Sequence, residues 1–202
     1  SAFDLDSVMN TLTQSAAELC KAEISALYLR EGDMLVARGV AGVDAGQVDF
    51  LRRTPLQIDA STYIGRTFLA GSVRNIADVA TETEIGQLKA FGETLGFKAI
   101  LFVPLMREAG SIGIFALARR RTGQFSQQEI DLVQTFADQA VIAIENVRLF
   151  NETRETLERQ TATADILRVM AASPSDVQPV FGHIARNANR VIGGLSTAVL
   201  RY

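Results

Sequence analysis

The stretch AILFVPLMREAGSIGIFALA, Ala99 to Ala118, decides how this chain folds. Two runs of aliphatic and aromatic residues flank the polar turn REAG, the pattern of two antiparallel strands joined by a short connection. The pair reads as the centre of an antiparallel sheet. Pro104 has no N–H to give to a ladder, so it belongs at a bulge or a strand end. Upstream, SALYLR and MLVARGV also have strand composition. The EGD between them, Glu31 to Asp33, predicts a hairpin with Gly32 in the loop.

The connection between these hairpins is variable in character. GQVDFLRR (Gly46 to Arg53) and STYIGRTFLAG (Ser61 to Gly71) read as helices, the second with Ser61 as N-cap and Gly71 as its stop. VRNIADV (Val73 to Val79) is a short strand. ETEIGQLKAFGETLG (Glu82 to Gly96) is another short helix, stopped by Gly96. At the start of the chain, Val8, Leu12, Ala16 and Leu19 recur at helical spacing and lead into SALYLR.

Beyond the central strands the period turns helical at Ser126, where Glu129 completes a capping box. Neither Gly nor Pro interrupts Ser126 to Ser173, room for a helix of roughly 70 Å. Its first half is expected to pack on its own domain through Val133, Phe136, Ala137, Ala140 and Ile144. Its second half, NETRETLERQTATADILR, is too polar for a core and too rich in helix formers for a loose linker. Every seventh residue from Phe136 is apolar: Ala143, Phe150, Leu157, Ala164 and Ala171. The alternate positions are Asn146, Thr153, Gln160 and Leu167. Such a seam pairs in parallel across a homodimer, and its polar layers keep the pairing weak and adjustable. The competing reading is a single solvated connecting helix.

The last stretch, DVQPVFGHIARNANRVIGGLSTAVLRY (Asp176 to Tyr202), repeats the plan of DLDSVMNTLTQSAAELCKAEISALYLR (Asp4 to Arg30). Val180, Ile184, Ala188 and Val191 form its helical pattern, and STAVLR answers SALYLR. Asp176 follows Asp4, and Ser196 follows Ser25, at offsets that differ by one residue, as a tandem duplication with a small deletion leaves them. One module and the opening of a second copy are what a piece of a longer protein would show. The strand STAVLRY, without the rest of its sheet, is expected to fray or to pair elsewhere.

Composition narrows the function classes. Apolar residues make up 48% of the chain and charged residues 21%, which is globular rather than disordered. The longest unbroken apolar run, AILFVPLM, falls well short of the ~18 residues of a membrane span. The N-terminus SAFDLD has no basic region leading into an apolar one. A net charge of -3 argues against a general nucleic-acid binder. The lone cysteine, Cys20, permits no intrachain disulfide and fits a reducing compartment, so the chain reads as cytoplasmic.

The segments IGRTFLAGSVRNIADV (Ile64 to Val79), LFVPLMREAGSIGIFALARR (Leu101 to Arg120) and QFSQQEIDLVQTFADQAVIAIENVRLF (Gln124 to Phe150) resemble the GAF domain, a PAS-like sensory module. The linker TATADILRVMAASPSDVQPVF is similar to those between tandem GAF domains of bacterial sensor histidine kinases. The resemblance implies an α+β fold, a six-stranded antiparallel sheet flanked by helices, with a long C-terminal signalling helix and the start of a second GAF copy. It implies a GAF domain over residues 1–150, a helical linker over 151–173 and a truncated second domain over 174–202. The first and last helices would pack on one face of the sheet. The short helices between Val48 and Gly96 would cover the other, where family members hold small ligands. Phe50, Tyr63, Phe68, Phe91, Phe97, Ile100 and Phe102 are the candidates to line such a ligand pocket, although an apolar core calls for the same residues.

Most of the family's chemistry lacks its residues here. The first copy has no histidine, since His183 lies in the second, so a His-ligated haem is not expected. Cys20 falls in the opening helix, on a face expected to pack on the sheet, and neither a bilin attachment nor a sulfoxide reductase has its cysteines. Cyclic-nucleotide-binding relatives carry an Asn-Lys pair and an acidic pair around a Phe. Here Arg119, Arg120, Glu129 and Ile130 stand at those places, with Phe125 alone matching. Arg119 to Arg121 would either grip an anionic ligand or form a solvated loop. No catalytic triad, paired catalytic carboxylates, P-loop or CxxC is present. No metal or cofactor is expected, and the segment is not expected to be an enzyme. The reading is a cytoplasmic input module of a sensor histidine kinase, binding an unknown small molecule and signalling to a second GAF domain and a kinase. The alternatives are a ligand-free dimerisation and interaction module, or the input of a nucleotide or diguanylate cyclase.

Overall fold

A computed structural model describes residues 5–82 and 87–172. The chain divides into two compact units, Ser1–Val147 and Arg148–Tyr202. In chain order the elements are α1 (Leu5–Leu19), β1 (Ile24–Glu31), β2 (Met34–Ala41), α2 (Ala45–Arg53), β3 (Leu56–Gln57), α3 (Tyr63–Ala70), β4 (Arg74–Ile76), α4 (Gln87–Leu95), β5 (Ala99–Arg107), β6 (Gly110–Arg119) and α5 (Gln127–Ala172). The repeated stretch Asp176 to Tyr202, with its expected helix and strand, lies outside the described residues.

The strands form one six-stranded antiparallel sheet in the order β3-β2-β1-β6-β5-β4. Two hairpins, β1–β2 and β5–β6, meet along β1 and β6, so the central pairing is between them and β5 lies one place further out than the sequence suggests. β4 covers β5 over three residues, Ile100 to Phe102. Pro104 lies beyond that cover and just before the register shift at Leu105/Met106, a position that tolerates its missing donor.

Alternation along the strands sends side chains to two separate cores. Ile24, Ala26 and Tyr28 of β1 face one core with Ile100 and Phe102 of β5 and Ala116 and Ala118 of β6, and α2, α3 and α4 cover it. Leu27, Leu29, Leu101, Val103, Phe115 and Leu117 face the other, covered by α1 and the first part of α5. In that part of α5, Val133, Ala137 and Ala140 are fully buried, and Phe136 and Ile144 pack at the margin, as their spacing predicts. A bulge at Arg38, where Leu27 pairs Gly39 and Tyr28 pairs Ala37, brings Gly39 beneath α1. A Cβ at Gly39 would stand 2.6 Å from the Met9 carbonyl oxygen, so only glycine permits this approach.

The caps follow local chemistry. Asp44 and Gln47 form a capping box on α2, and Ser126 with Glu129 forms the expected one on α5. α3 is capped by Thr62 rather than Ser61, its Oγ1 accepting the Gly65 N–H at 3.0 Å. The reason is that the Ser61 hydroxyl and N–H are both committed to Asp59. Gly71 ends α3 in the left-handed conformation, φ 57°.

In the second unit, the described part of α5 continues to Ala172. Arg148 pairs with Glu152 and Arg154 with Glu158, each four residues on. Phe150, Leu157 and Leu167 are exposed there, as are Thr153, Gln160 and Ala164.

Candidate functional site

The site begins with small residues at the middle of the sheet. Ala26 of β1 pairs with Ala116 of β6, and Ala118 pairs with Ile24 on one side and Ile100 on the other. All three alanines face the same core, so the centre of this face is shallow where larger side chains would fill it. A cavity of about 60 Å³ lies above them. Its walls are Leu51 of α2, Leu56 of β3, Tyr63 and Ile64 of α3, Leu88, Phe91 and Leu95 of α4, and Phe97, Ile100 and Phe102. Tyr28 and Thr62 supply further hydroxyls, and among the described residues no charged side chain lines it.

Five of the seven expected lining residues, Tyr63, Phe91, Phe97, Ile100 and Phe102, are brought together here. Phe50 and Phe68 are not in the lining. Phe50 backs Phe91, ring centroids 5.3 Å apart, and Phe68 is buried in the surrounding core. The Tyr63 ring lies 6.1 Å from that of Phe102, with Arg66 over its outer side. Sequence reasoning looked for large aromatic residues and missed both the alanine floor and Tyr28. The available signal was alanine at inward positions of strands otherwise bearing Ile, Leu and Phe.

On the opposite face, Arg119 joins three elements. Its guanidinium forms an ion pair with Glu129 of α5, donates to the Cys20 carbonyl oxygen at 2.6 Å and lies 3.9 Å from the Phe125 ring centroid. Arg119 is buried while Arg120 and Arg121 are exposed, so the run divides: its first member is neither a ligand grip nor part of a solvated loop. Burial pushes the Glu129 carboxyl up, but the Ser126 N–H and the Arg119 guanidinium outweigh it and hold it below the usual range. Asn75 of β4 clamps the same junction, donating to the Phe125 carbonyl at 2.8 Å and accepting its N–H at 3.1 Å. Sequence reading passed over this asparagine as part of a short strand.

Cys20 is buried against the sheet as expected, although it is the residue after α1 rather than part of the helix. Burial, then the Glu129 charge, push its thiol up to about 11 against the opposing effect of Arg119. Such a thiol stays protonated and is a poor nucleophile or metal ligand. Among the described residues no group of three or more His, Cys, Asp or Glu could hold a metal ion, and no helix is long and apolar enough to cross a membrane.

Residues 4–144 match the family model described as GAF domain. The fold is similar to that of the GAF domain/HD domain protein from Geobacter sulfurreducens, with 20% identity and a TM-score of 0.64 over 73% of this chain and 96% of that one. It is similar also to the GAF domain of a phosphoenolpyruvate-protein phosphotransferase from Coxiella burnetii, with 17% identity and a TM-score of 0.64 over 74% and 87% of the two chains. A third similar structure is the blue-light absorbing form of the Thermosynechococcus elongatus PixJ GAF domain, with 17% identity and a TM-score of 0.63 over 77% and 94%. At these identities the likeness concerns the fold.

Proposed function

This chain belongs to the GAF domain family, whose members are signalling and sensory domains, and from that premise we propose that it is the small-molecule input module of a signal-transduction protein. Its role is regulatory rather than catalytic. The observation that carries the reading is the apolar cavity on one face of a sheet whose other face holds the start of α5. β6 connects the two: Ala116 and Ala118 face the cavity, and the next residue, Arg119, holds the first turn of α5 through Glu129. A ligand that favours one packing of α2, α3 and α4 biases the position of β6 and, through Arg119, the exit helix.

The signal then passes along the heptad seam of α5 in a homodimer. Phe136, Ala143, Phe150, Leu157 and Ala164 form its apolar positions, with Asn146, Thr153 and Gln160 as polar layers. The repeat from Asp176 supports a second GAF domain after a linker over 151–173. The similarity of that linker to those of sensor histidine kinases supports a kinase output in the cytoplasm. The small volume of the cavity favours a second reading, a ligand-free dimerisation module whose pocket its own side chains nearly fill.

Native mass spectrometry of the purified chain, with melting temperatures across a metabolite panel, separates the two. A retained small molecule or a ligand-raised melting temperature supports the sensory reading, and neither would leave the dimerisation module. In the intact signalling protein, replacing Asn146, Thr153 and Gln160 together with Leu should lock the output. Ligand-dependent signalling that survives this change would sink the seam mechanism.

A further inference from the structure

Tyr28 is 5% exposed, and its side chain lines the cavity. Tyrosine hydroxyls in such positions normally have a partner, yet among the described residues this one makes no hydrogen bond, and it is not sealed within the packed core as the unpartnered Ser25 hydroxyl is. Thr62 is already engaged, since its hydroxyl accepts from the Gly65 N–H and donates to the Gln57 carbonyl at 3.1 Å, and Tyr63 is only half-buried, with Arg66 over its ring. Burial holds the Tyr28 phenol protonated, far above its ordinary value, so it offers one donor and one acceptor whatever the physiological pH. The bulge opposite Leu27 and Tyr28 breaks the β1–β2 register at this point in the sheet.

The surroundings restrict what can pair with that hydroxyl. No charged side chain lines the cavity among the described residues, so a carboxylate, phosphate or ammonium would be buried without a counter-charge. The volume, about 60 Å³, compares with about 150 Å³ for a cavity that takes benzene. A molecule of a few heavy atoms therefore fits as the walls stand, and one of benzene's size requires α3 or α4 to give way.

We propose that this cavity receives a small, uncharged, largely apolar molecule carrying one hydrogen-bonding oxygen, an alcohol, ketone or phenol, and that Tyr28 is the residue that selects it. The inference rests on reading the cavity as a sensory site and adds the chemical class of the ligand. Water would satisfy the hydroxyl equally well, and the test separates the two occupants.

The test uses the 202-residue chain and its Tyr28→Phe variant. The probes are butanone and phenol, the hydrocarbons 2-methyl-1-butene and toluene of matching shape, and butanoate and benzoate, followed by calorimetry. The wild type should bind the neutral oxygenated probes about tenfold more tightly than the hydrocarbons. It should not bind the carboxylates. In Tyr28→Phe the preference should vanish while hydrocarbon binding remains. Equal binding of oxygenated and hydrocarbon probes, carboxylate binding, or a preference that survives in Tyr28→Phe would overturn the ligand class and leave the sensory pocket standing. No binding by any probe, together with no small molecule retained on native purification, would remove both.

Discussion

Phe102 and Phe115 stand on adjacent strands, are buried to nearly the same extent and point to opposite faces of one sheet. Around Phe115 the packing is close: α1 approaches β2 until Gly39 touches the Met9 backbone, and Val133, Ala137 and Ala140 of α5 lie fully buried. Around Phe102 the neighbours on its face include Ala116, Tyr63 and the cavity. The sheet thus has a face built to hold a helix in one place and a face that can be repacked. A domain that converts occupancy into helix movement needs both, because a close-packed core transmits a shift and a cavity is where a ligand can introduce one.

The largest effect that tests this contrast is truncation at the two phenylalanines. Phe115→Ala should cost about 4 kcal/mol and Phe102→Ala about 1 kcal/mol less, since a ring beside a void already lacks some of its contacts. Urea denaturation measures both, and equal losses would mean that the faces are equally packed.

Breaking the Arg119 junction comes next. Glu129→Ala strands a buried guanidinium and should cost about 3 kcal/mol, at the lower end for such pairs because the Glu129 side chain is 25% exposed. Arg121→Ala, on an exposed arginine two residues away, should stay within about 0.5 kcal/mol. The junction also sets an acid limb. The Glu129 carboxyl sits below its ordinary value of 4.5 in the folded state. The stability it contributes is therefore complete above that pH and is lost as pH falls through the folded value. In Glu129→Gln this limb should flatten when the melting temperature is followed from neutral to acid pH.

Overpacking gives the third comparison. Ala137→Leu, on the helix side, should cost about 2 kcal/mol, whereas Ala116→Val should be nearly neutral because the cavity accommodates its methyl groups. A large loss for Ala116→Val would show that the void is too shallow to accept a methyl group. Smaller effects should come from polar groups. Asn75→Ala removes the clamp on Phe125 and should cost about 1.5 kcal/mol. Ser25, whose buried Oγ has no partner among the described residues, should gain up to about 1 kcal/mol as Ser25→Ala. A loss there would mean that the hydroxyl has a partner after all.

Much of this architecture was legible before any coordinates. Strand composition between polar turns marked β1, β2, β5 and β6, each of which is buried along most of its length or on alternate residues. The capping box at Ser126 and the stop at Gly71 follow from chemistry within a few residues, and so do the breaks between elements. The cap on α3 was misplaced by one residue because Ser61 and Thr62 have similar side chains. Their different roles depend on Asp59, whose turn takes Ser61 for itself.

What the sequence by itself determined was therefore local and periodic: the elements other than the two-residue β3, their order, the burial of Cys20 and the aromatic residues near one face. Tertiary structure alone decided which strands meet at the centre, since pairing β1 with β6 joins segments some 90 residues apart and no local pattern encodes such a contact. It also turned Arg119 from an apparent surface charge into a buried tie between β6, the turn after α1 and the start of α5. The cavity is the clearest case. Ala26, Ala116 and Ala118 look unremarkable in three separate places, and they make a hollow with Tyr28 beside it only because hydrogen bonding sets their strands in register.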